Sequence, residues 1–154
     1  MSEAELDVLG LLIRHELTIK HLYEIFSTMF TERKALWENL ATAEQRHADW
    51  LISLQPDSSV SKWLMRESTL KPKAIKSSIE YVESQITRAN EGSMSLLQAL
   101  SISIDIEKAL LERQYSKLKD SSIGGNGGAV MTNICNETEE HQKTLVELIN
   151  SEKR

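Results

Sequence analysis

The sequence predicts an all-α protein, a four-helix bundle with a crossover helical segment between the second and third long helices. Apolar residues recur at helical spacing along nearly the whole chain, and no segment alternates like a β-strand. The only two prolines, Pro56 and Pro72, and a glycine cluster at 124–128 fall between the periodic segments. A chain of 154 residues can bury a sizeable core, so a single domain spanning 1–154 is expected.

Local signals place the ends of the helices. Ser2-x-x-Glu5 has the form of a capping box, and Thr31 is a suitable cap for the second helix. Pro72 suits the first turn of a helix in the crossover segment, which also contains a short helix around Trp63. The long helices are predicted near residues 2–30, 32–54, 93–118 and 130–150, with breaks at 56–59, at 90–92 and in the glycine loop.

Composition limits the classes of partner. The formal net charge is −5, which argues against nucleic acid or an anionic membrane as the main partner. The apolar run from Val8 to Ile13 is interrupted by Arg14, so neither a signal peptide nor a membrane span is predicted. A single cysteine, Cys135, cannot form an intrachain disulfide, and we expect a cytoplasmic protein.

Each long helix has an ionisable residue at the centre of its apolar stripe. In the second helix Glu44 and His47 lie on the stripe that also carries Trp37 and Leu51. For any single residue of this kind, a wrongly phased helix or a salt-bridged core group is the more common explanation. It is less plausible that chance would place an ionisable residue at the centre of the apolar stripe in all four long helices. The stripe residues concerned are Glu16, Glu44, His47, Glu107 and His141.

The order of these residues repeats along the chain. Glu16 precedes His47 by 31 residues, and Glu107 precedes His141 by 34. Two helical hairpins related by a pseudo-twofold axis would bring these side chains to one interior point. This is the layout of a carboxylate-bridged two-metal site, in which carboxylate oxygens and imidazole nitrogens suit iron or manganese.

The first two helices also resemble a known family. Glu16 with Tyr23, followed by the segment 36–48 with its Glu44-x-x-His47 motif, is similar to the rubrerythrin branch of the ferritin-like superfamily; Glu107 with Tyr115 extends the likeness. The resemblance implies two irons with Glu16 and Glu107 as terminal ligands, Glu44 as a bridging carboxylate, and His47 and His141 as the imidazole ligands. Manganese or zinc would be compatible with such a site.

The fourth helix departs from this pattern. The residue three before His141 is Thr138, where the family has a glutamate. Glu137 is displaced around the helix towards the far side from the seam centre. Three outcomes remain open: Glu137 turns inward as a substitute ligand, a water or an exogenous anion takes the bridging place, or the second metal binds weakly and leaves a mononuclear or empty site.

Other polar residues near the stripes have supporting or structural roles. Tyr23, one heptad from Glu16, is expected to hydrogen-bond a ligand or carry an electron, or else to be an ordinary buried tyrosine. Gln114 is one heptad beyond Glu107 and is predicted to donate a hydrogen bond to the ligands. His15 and His21 lie off the stripe of the first helix and are predicted to be solvated.

Two functions follow. The resemblance implies a metal protein that reduces peroxide or, with dioxygen or peroxide, oxidises ferrous iron. The paired-cysteine rubredoxin module of classical members is not encoded in this chain, so the electrons would come from an external donor. The alternative is a non-catalytic helical module with a partly decayed metal site. In either case a homodimer is expected.

Overall fold

The computed structural model describes residues 7–119, 123 and 126–153, and within these ranges the chain is helical and has no β-strand. The all-α prediction is confirmed. The six helices are α1 (Val8–Met29), α2 (Lys34–Ile52), α3 (Ser58–Arg66), α4 (Pro72–Asn90), α5 (Leu96–Ala109) and α6 (Gly127–Glu152).

The first two long helices begin later than predicted. Asp7 is the N-cap of α1 because its side chain accepts a hydrogen bond from the Leu9 amide, so α1 begins at Val8. The predicted capping box at Ser2 lies outside the described residues. The predicted start at Thr31 is a 3₁₀ turn, Thr31–Arg33, that leads into α2.

The last two long helices also differ at their starts. A capping box between Ser95 and Gln98, which was not predicted, begins α5 at Leu96. Helix α6 begins at Gly127 rather than near residue 130, so part of the predicted glycine loop is helical. Gly124 and Gly125 lie outside the described residues.

The helices form two hairpins. Helix α1 packs along α2, and α5 packs along α6, while α2 also meets α6. Between α2 and α5 the chain forms α3 and α4, and α4 lies against α1. Tyr23, Phe26 and Trp37 form an aromatic cluster between α1 and α2, with the Phe26 and Trp37 rings 4.9 Å apart and edge to face.

None of the described helices is both long enough and apolar enough to cross a lipid bilayer.

Helix α5 continues beyond Ala109 through a π-helical turn, Leu110–Tyr115, and one further α-helical turn, Ser116–Leu118. A π-turn holds more residues than an α-turn. Tyr115 follows Glu107 by eight residues, whereas Tyr23 follows Glu16 by seven in a regular helix. The wide turn therefore compensates for the additional residue and returns Tyr115 to the buried face that carries Glu107.

Deletion of the exposed Glu112 should convert the π-turn into an α-turn and leave Tyr115 on the same face. We expect the melting temperature to stay within about 3 °C of the parent value, as for a surface change of roughly 0.5 kcal/mol. The matched control is deletion of the exposed His21, which lies between Glu16 and Tyr23 in regular helix. That deletion rotates the following residues by about 100° and should abolish cooperative unfolding. Equal damage by the two deletions would contradict the compensation.

Candidate metal centre

Four helices contribute ionisable side chains to one interior region. Glu16 on α1, Glu44 and His47 on α2, and Glu107 on α5 are all fully buried. The side chain of His141 on α6 is 18% exposed. These residues form two groups, Glu16–Glu44–His47 and Glu44–Glu107–His141, and within each group one ligand atom per residue lies within 4.8 Å of the others. Glu44 belongs to both groups.

The two oxygens of Glu44 face different imidazoles. Its Oε2 is 3.4 Å from Nδ1 of His47, and its Oε1 is 3.8 Å from Nδ1 of His141. The terminal carboxylates complete the arrangement, since Glu16 Oε2 is 3.6 Å from His47 Nδ1 and Glu107 Oε1 is 3.6 Å from His141 Nδ1. A carboxylate placed between two such groups can bridge two cations.

The atoms that face this interior point have no hydrogen-bond partner among the described residues. They are Glu16 Oε2, both oxygens of Glu44, Glu107 Oε2 and the Nδ1 atoms of His47 and His141. A buried polar atom without a partner costs about 1–3 kcal/mol, and more if it is charged. A cation at each group would satisfy these atoms and neutralise the carboxylates. The donor set therefore fits two divalent metal ions.

Two tyrosines each hold one oxygen of a terminal carboxylate, and each tyrosine comes from the opposite hairpin. The Tyr23 hydroxyl donates to Glu107 Oε1 at 2.9 Å, and the Tyr115 hydroxyl donates to Glu16 Oε1 at 2.6 Å. Burial and the nearby carboxylates raise the pKa of both phenols well above the ordinary value, so both remain donors at neutral pH. The Tyr115 contact leaves Glu16 Oε2 free to face His47, whereas Glu107 Oε1 contacts both Tyr23 and the His141 side of the site, and Glu107 Oε2 has no hydrogen-bond partner among the described residues.

Glu137 does not turn inward as a substitute ligand. Its Oε1 accepts hydrogen bonds from Nε2 of His47 at 3.0 Å and from the Arg46 guanidinium at 2.7 Å. Burial raises the pKa of Glu137, but the hydrogen bond from Arg46 and the contact with His47 bring it below its ordinary value. An ionised Glu137 keeps the Nε2 proton on the outer edge of the His47 ring, so Nδ1 presents a lone pair to the site.

Thr138 occupies the place of the carboxylate that the resemblance implied. The side chain is fully buried, and its hydroxyl donates to the Ile134 carbonyl oxygen at 2.8 Å within α6. In the described part of the chain, α6 therefore contributes only His141 to the two groups.

Two predictions about the neighbouring polar residues were wrong. His15 is buried, and its Nδ1 accepts a hydrogen bond from Nε2 of Gln114 at 3.2 Å. Gln114 therefore does not reach the carboxylates, because the π-turn directs Tyr115 there instead. Burial lowers the pKa of His15, with partial opposition from the Glu16 carboxylate. His21 is exposed, as predicted.

Without metal, a proton has to compensate the crowded carboxylates. Burial, together with the charges of Glu16 and Glu107, raises the pKa of Glu44 well above its ordinary value. Burial alone would raise the pKa of Glu16, but the close contacts with Glu44 and with the His47 imidazole lower it to about 2. Burial lowers the pKa of His47, but the carboxylates of Glu16 and Glu137 raise it more, so the pKa lies above its ordinary value. Metal binding should consequently displace protons from Glu44 and His47.

Glu44→Gln should stabilise the metal-free protein at neutral pH. In the unfolded chain Glu44 loses its proton near its ordinary pKa of 4.5, whereas in the folded protein it does so at higher pH. Its ionisation therefore favours unfolding, and native stability falls as the pH rises above about 4.5. Glutamine cannot ionise, so we expect a gain on the order of 1–3 kcal/mol at pH 8 that vanishes near pH 4.

Urea unfolding of chelator-treated protein across this pH range measures the effect. Glu140→Gln, an exposed position on α6, is the control for removing one negative charge. A metal-free parent protein as stable as Glu44→Gln at pH 8 would contradict the account.

No protein-family model, curated protein or solved structure matches this chain. What the site binds is therefore inferred from the distances, burial and charges of its own side chains.

Proposed function

We propose that α1, α2, α5 and α6 form a ferritin-like four-helix bundle that holds two metal ions, with α3 and α4 as the crossover. The proposed function is that of a rubrerythrin-like protein, which reduces peroxide or oxidises ferrous iron and draws electrons from an external donor. One observation carries the proposal: both oxygens of Glu44 are buried and unpartnered among the described residues, and each faces a different Glu–His pair.

The ligand types favour iron or manganese. Three carboxylates and two imidazoles present hard and intermediate donor atoms, and no thiolate belongs to either group in the described residues. Zinc would accept the same donors but cannot change its oxidation state. Three negative charges leave two divalent ions with net positive charge, which makes the site suitable for an anionic substrate or an additional anion.

The chemistry depends on positions that the chain fixes before a substrate arrives. Two redox-active ions would supply the two electrons that, with two protons, convert hydrogen peroxide into two molecules of water. Tyr23 and Tyr115 orient the terminal carboxylates and keep their own protons, so we assign Tyr23 a positioning role. Burial of Glu16, Glu44, Glu107 and His47 excludes water from most of the site, while the partly exposed His141 marks the side open to solvent.

A non-catalytic dimerisation module remains the competing function, and Thr138 is the feature that favours it. A fully buried threonine that bonds its own helix is an ordinary core residue. If the site has lost metal binding, the remaining carboxylates are held by protons. Metal content separates the two functions.

The sharpest test of metal binding is Glu44→Ala, because Glu44 belongs to both groups. Protein purified without chelators should contain about two metal ions per chain by elemental analysis, and this variant should lose both. Glu140→Ala, at an exposed position, should retain them. With the same amount of ferrous iron added, hydrogen peroxide should oxidise the iron at least about tenfold faster in the presence of the parent protein than in the presence of the Glu44→Ala variant. Equal metal contents in the parent protein and Glu44→Ala would refute the proposal.

Thr138→Glu tests whether that position is a vacated ligand site. It reproduces the Glu-x-x-His spacing of Glu44 and His47, so it should raise the occupancy of the second ion and increase the rise in melting temperature on metal addition. Thr138→Val, which is similar in size and uncharged, is the matched control. If both variants bind and respond to metal alike, position 138 is an ordinary core site.

A further inference from the structure

The two imidazoles of the candidate metal centre have different surroundings. His47 is fully buried, and its Nε2 is 3.0 Å from Glu137 Oε1, which is itself anchored by Arg46 at 2.7 Å. His141 is 18% exposed, and in the described part of the chain no carboxylate other than Glu44 and Glu107 lies within ion-pair distance of its ring. The repeat that relates the two hairpins therefore does not extend to the outer nitrogens of the histidines.

The Glu137 contact strengthens one metal position. A carboxylate that accepts the outer N–H of a histidine fixes the ring orientation and makes the inward nitrogen a better donor. Loss of such a partner typically reduces metal affinity by about 10- to 100-fold. The Arg46 contact holds the Glu137 carboxylate against the outer edge of His47, so His47 is already oriented before an ion arrives.

The terminal carboxylates do not offset this difference. Glu16 and Glu107 are equally buried, and each receives one tyrosine hydroxyl. The clearest difference between the two groups is in the surroundings of the histidines, and it favours the Glu16–Glu44–His47 position in both ring orientation and burial. His47 is oriented by Glu137 and fully buried, whereas the side chain of His141 is 18% exposed although its Nδ1 is buried.

We propose that the two ions are held unequally: the Glu16–Glu44–His47 position retains its ion, and the Glu44–Glu107–His141 position exchanges its ion with solution. This inference rests on the proposed function and assigns the exchanging position as the place where a divalent cation, ferrous iron in the ferroxidase reaction, arrives from solvent. Glu137, through His47, is the positioning residue that makes the difference.

Titration of the metal-free protein with Mn²⁺ tests the proposal, with unbound Mn²⁺ measured by its electron paramagnetic resonance signal. We expect one ion per chain to bind at least tenfold more tightly than the second and to survive dialysis against a weak chelator. Repulsion between two cations that share Glu44 also separates the two affinities. The difference in affinity alone therefore does not show which position binds more tightly, and variants of individual residues are needed to assign the tight step.

His141→Ala should remove the weak step and keep the tight one, and His47→Ala should do the reverse. Glu137→Gln should weaken the tight step by about 10- to 100-fold and leave the weak step within about threefold. Glu140→Gln, which removes the same charge from an exposed position on the same helix, should change neither step. Glu137 is itself partly exposed, so its variant keeps the test valid even if His47→Ala does not fold.

Three results would overturn the inference: equal weakening of the tight step by His47→Ala and His141→Ala, loss of the tight step in His141→Ala alone, or identical behaviour of Glu137→Gln and Glu140→Gln. Failure of the parent protein to bind any Mn²⁺, Fe²⁺ or Zn²⁺ is a different result. It would refute the proposed function, and this inference with it.

Discussion

The structure depends on the burial of three carboxylates around a common point. Glu16, Glu44 and Glu107 are fully inaccessible to solvent. In the described part of the chain, the only basic groups within ion-pair distance of them are the imidazoles of His47 and His141. An unpaired ionised group in a protein interior costs several kcal/mol, so protons or cations have to compensate these charges. Two metal ions would compensate them more completely than one shared proton, because they would also engage the unpartnered nitrogen of each histidine.

Around this point the chain separates the atoms that face the site from the groups that orient them. Crossed tyrosine–glutamate hydrogen bonds from Tyr23 and Tyr115 join the two hairpins and obey the internal repeat. The sequence departs from the repeat at the additional residue before Tyr115, at Thr138 and at Glu137. The π-turn compensates for the additional residue, since it returns Tyr115 to the position that matches Tyr23. Thr138 breaks the symmetry because its hydroxyl bonds its own helix, and Glu137 breaks it because its carboxylate contacts the outer nitrogen of His47.

Helical periodicity was sufficient to predict the all-α fold and to select the buried ionisable residues. The apolar residues of each helix define its buried face, and an ionisable residue on that face can be recognised from the spacing alone. Contacts between helices were not predictable in the same way. Glu137 reaches His47 of another helix, and spacing along α6 only excluded it from the stripe. Tyr115, and not Gln114, donates the hydrogen bond to a buried carboxylate, because counting by heptads assumes a regular helix and a π-turn intervenes. The eight-residue spacing of Glu107 and Tyr115 was a signal that the regular count fails. Burial of His15 involves Gln114 of the π-turn that follows α5, so it could not be predicted from α1 alone.

The most direct measurement of the central claim is the position of bound metal in a crystal. Diffraction data from iron- or manganese-loaded crystals, collected above and below the absorption edge of the metal, locate each ion independently of the ligands. The account predicts two anomalous difference peaks per chain. One should lie among Glu16, Glu44 and His47, and the other among Glu44, Glu107 and His141, with one Glu44 oxygen bound to each ion. Peaks confined to the protein surface, or no peak at the buried carboxylates of a fully loaded crystal, would contradict it.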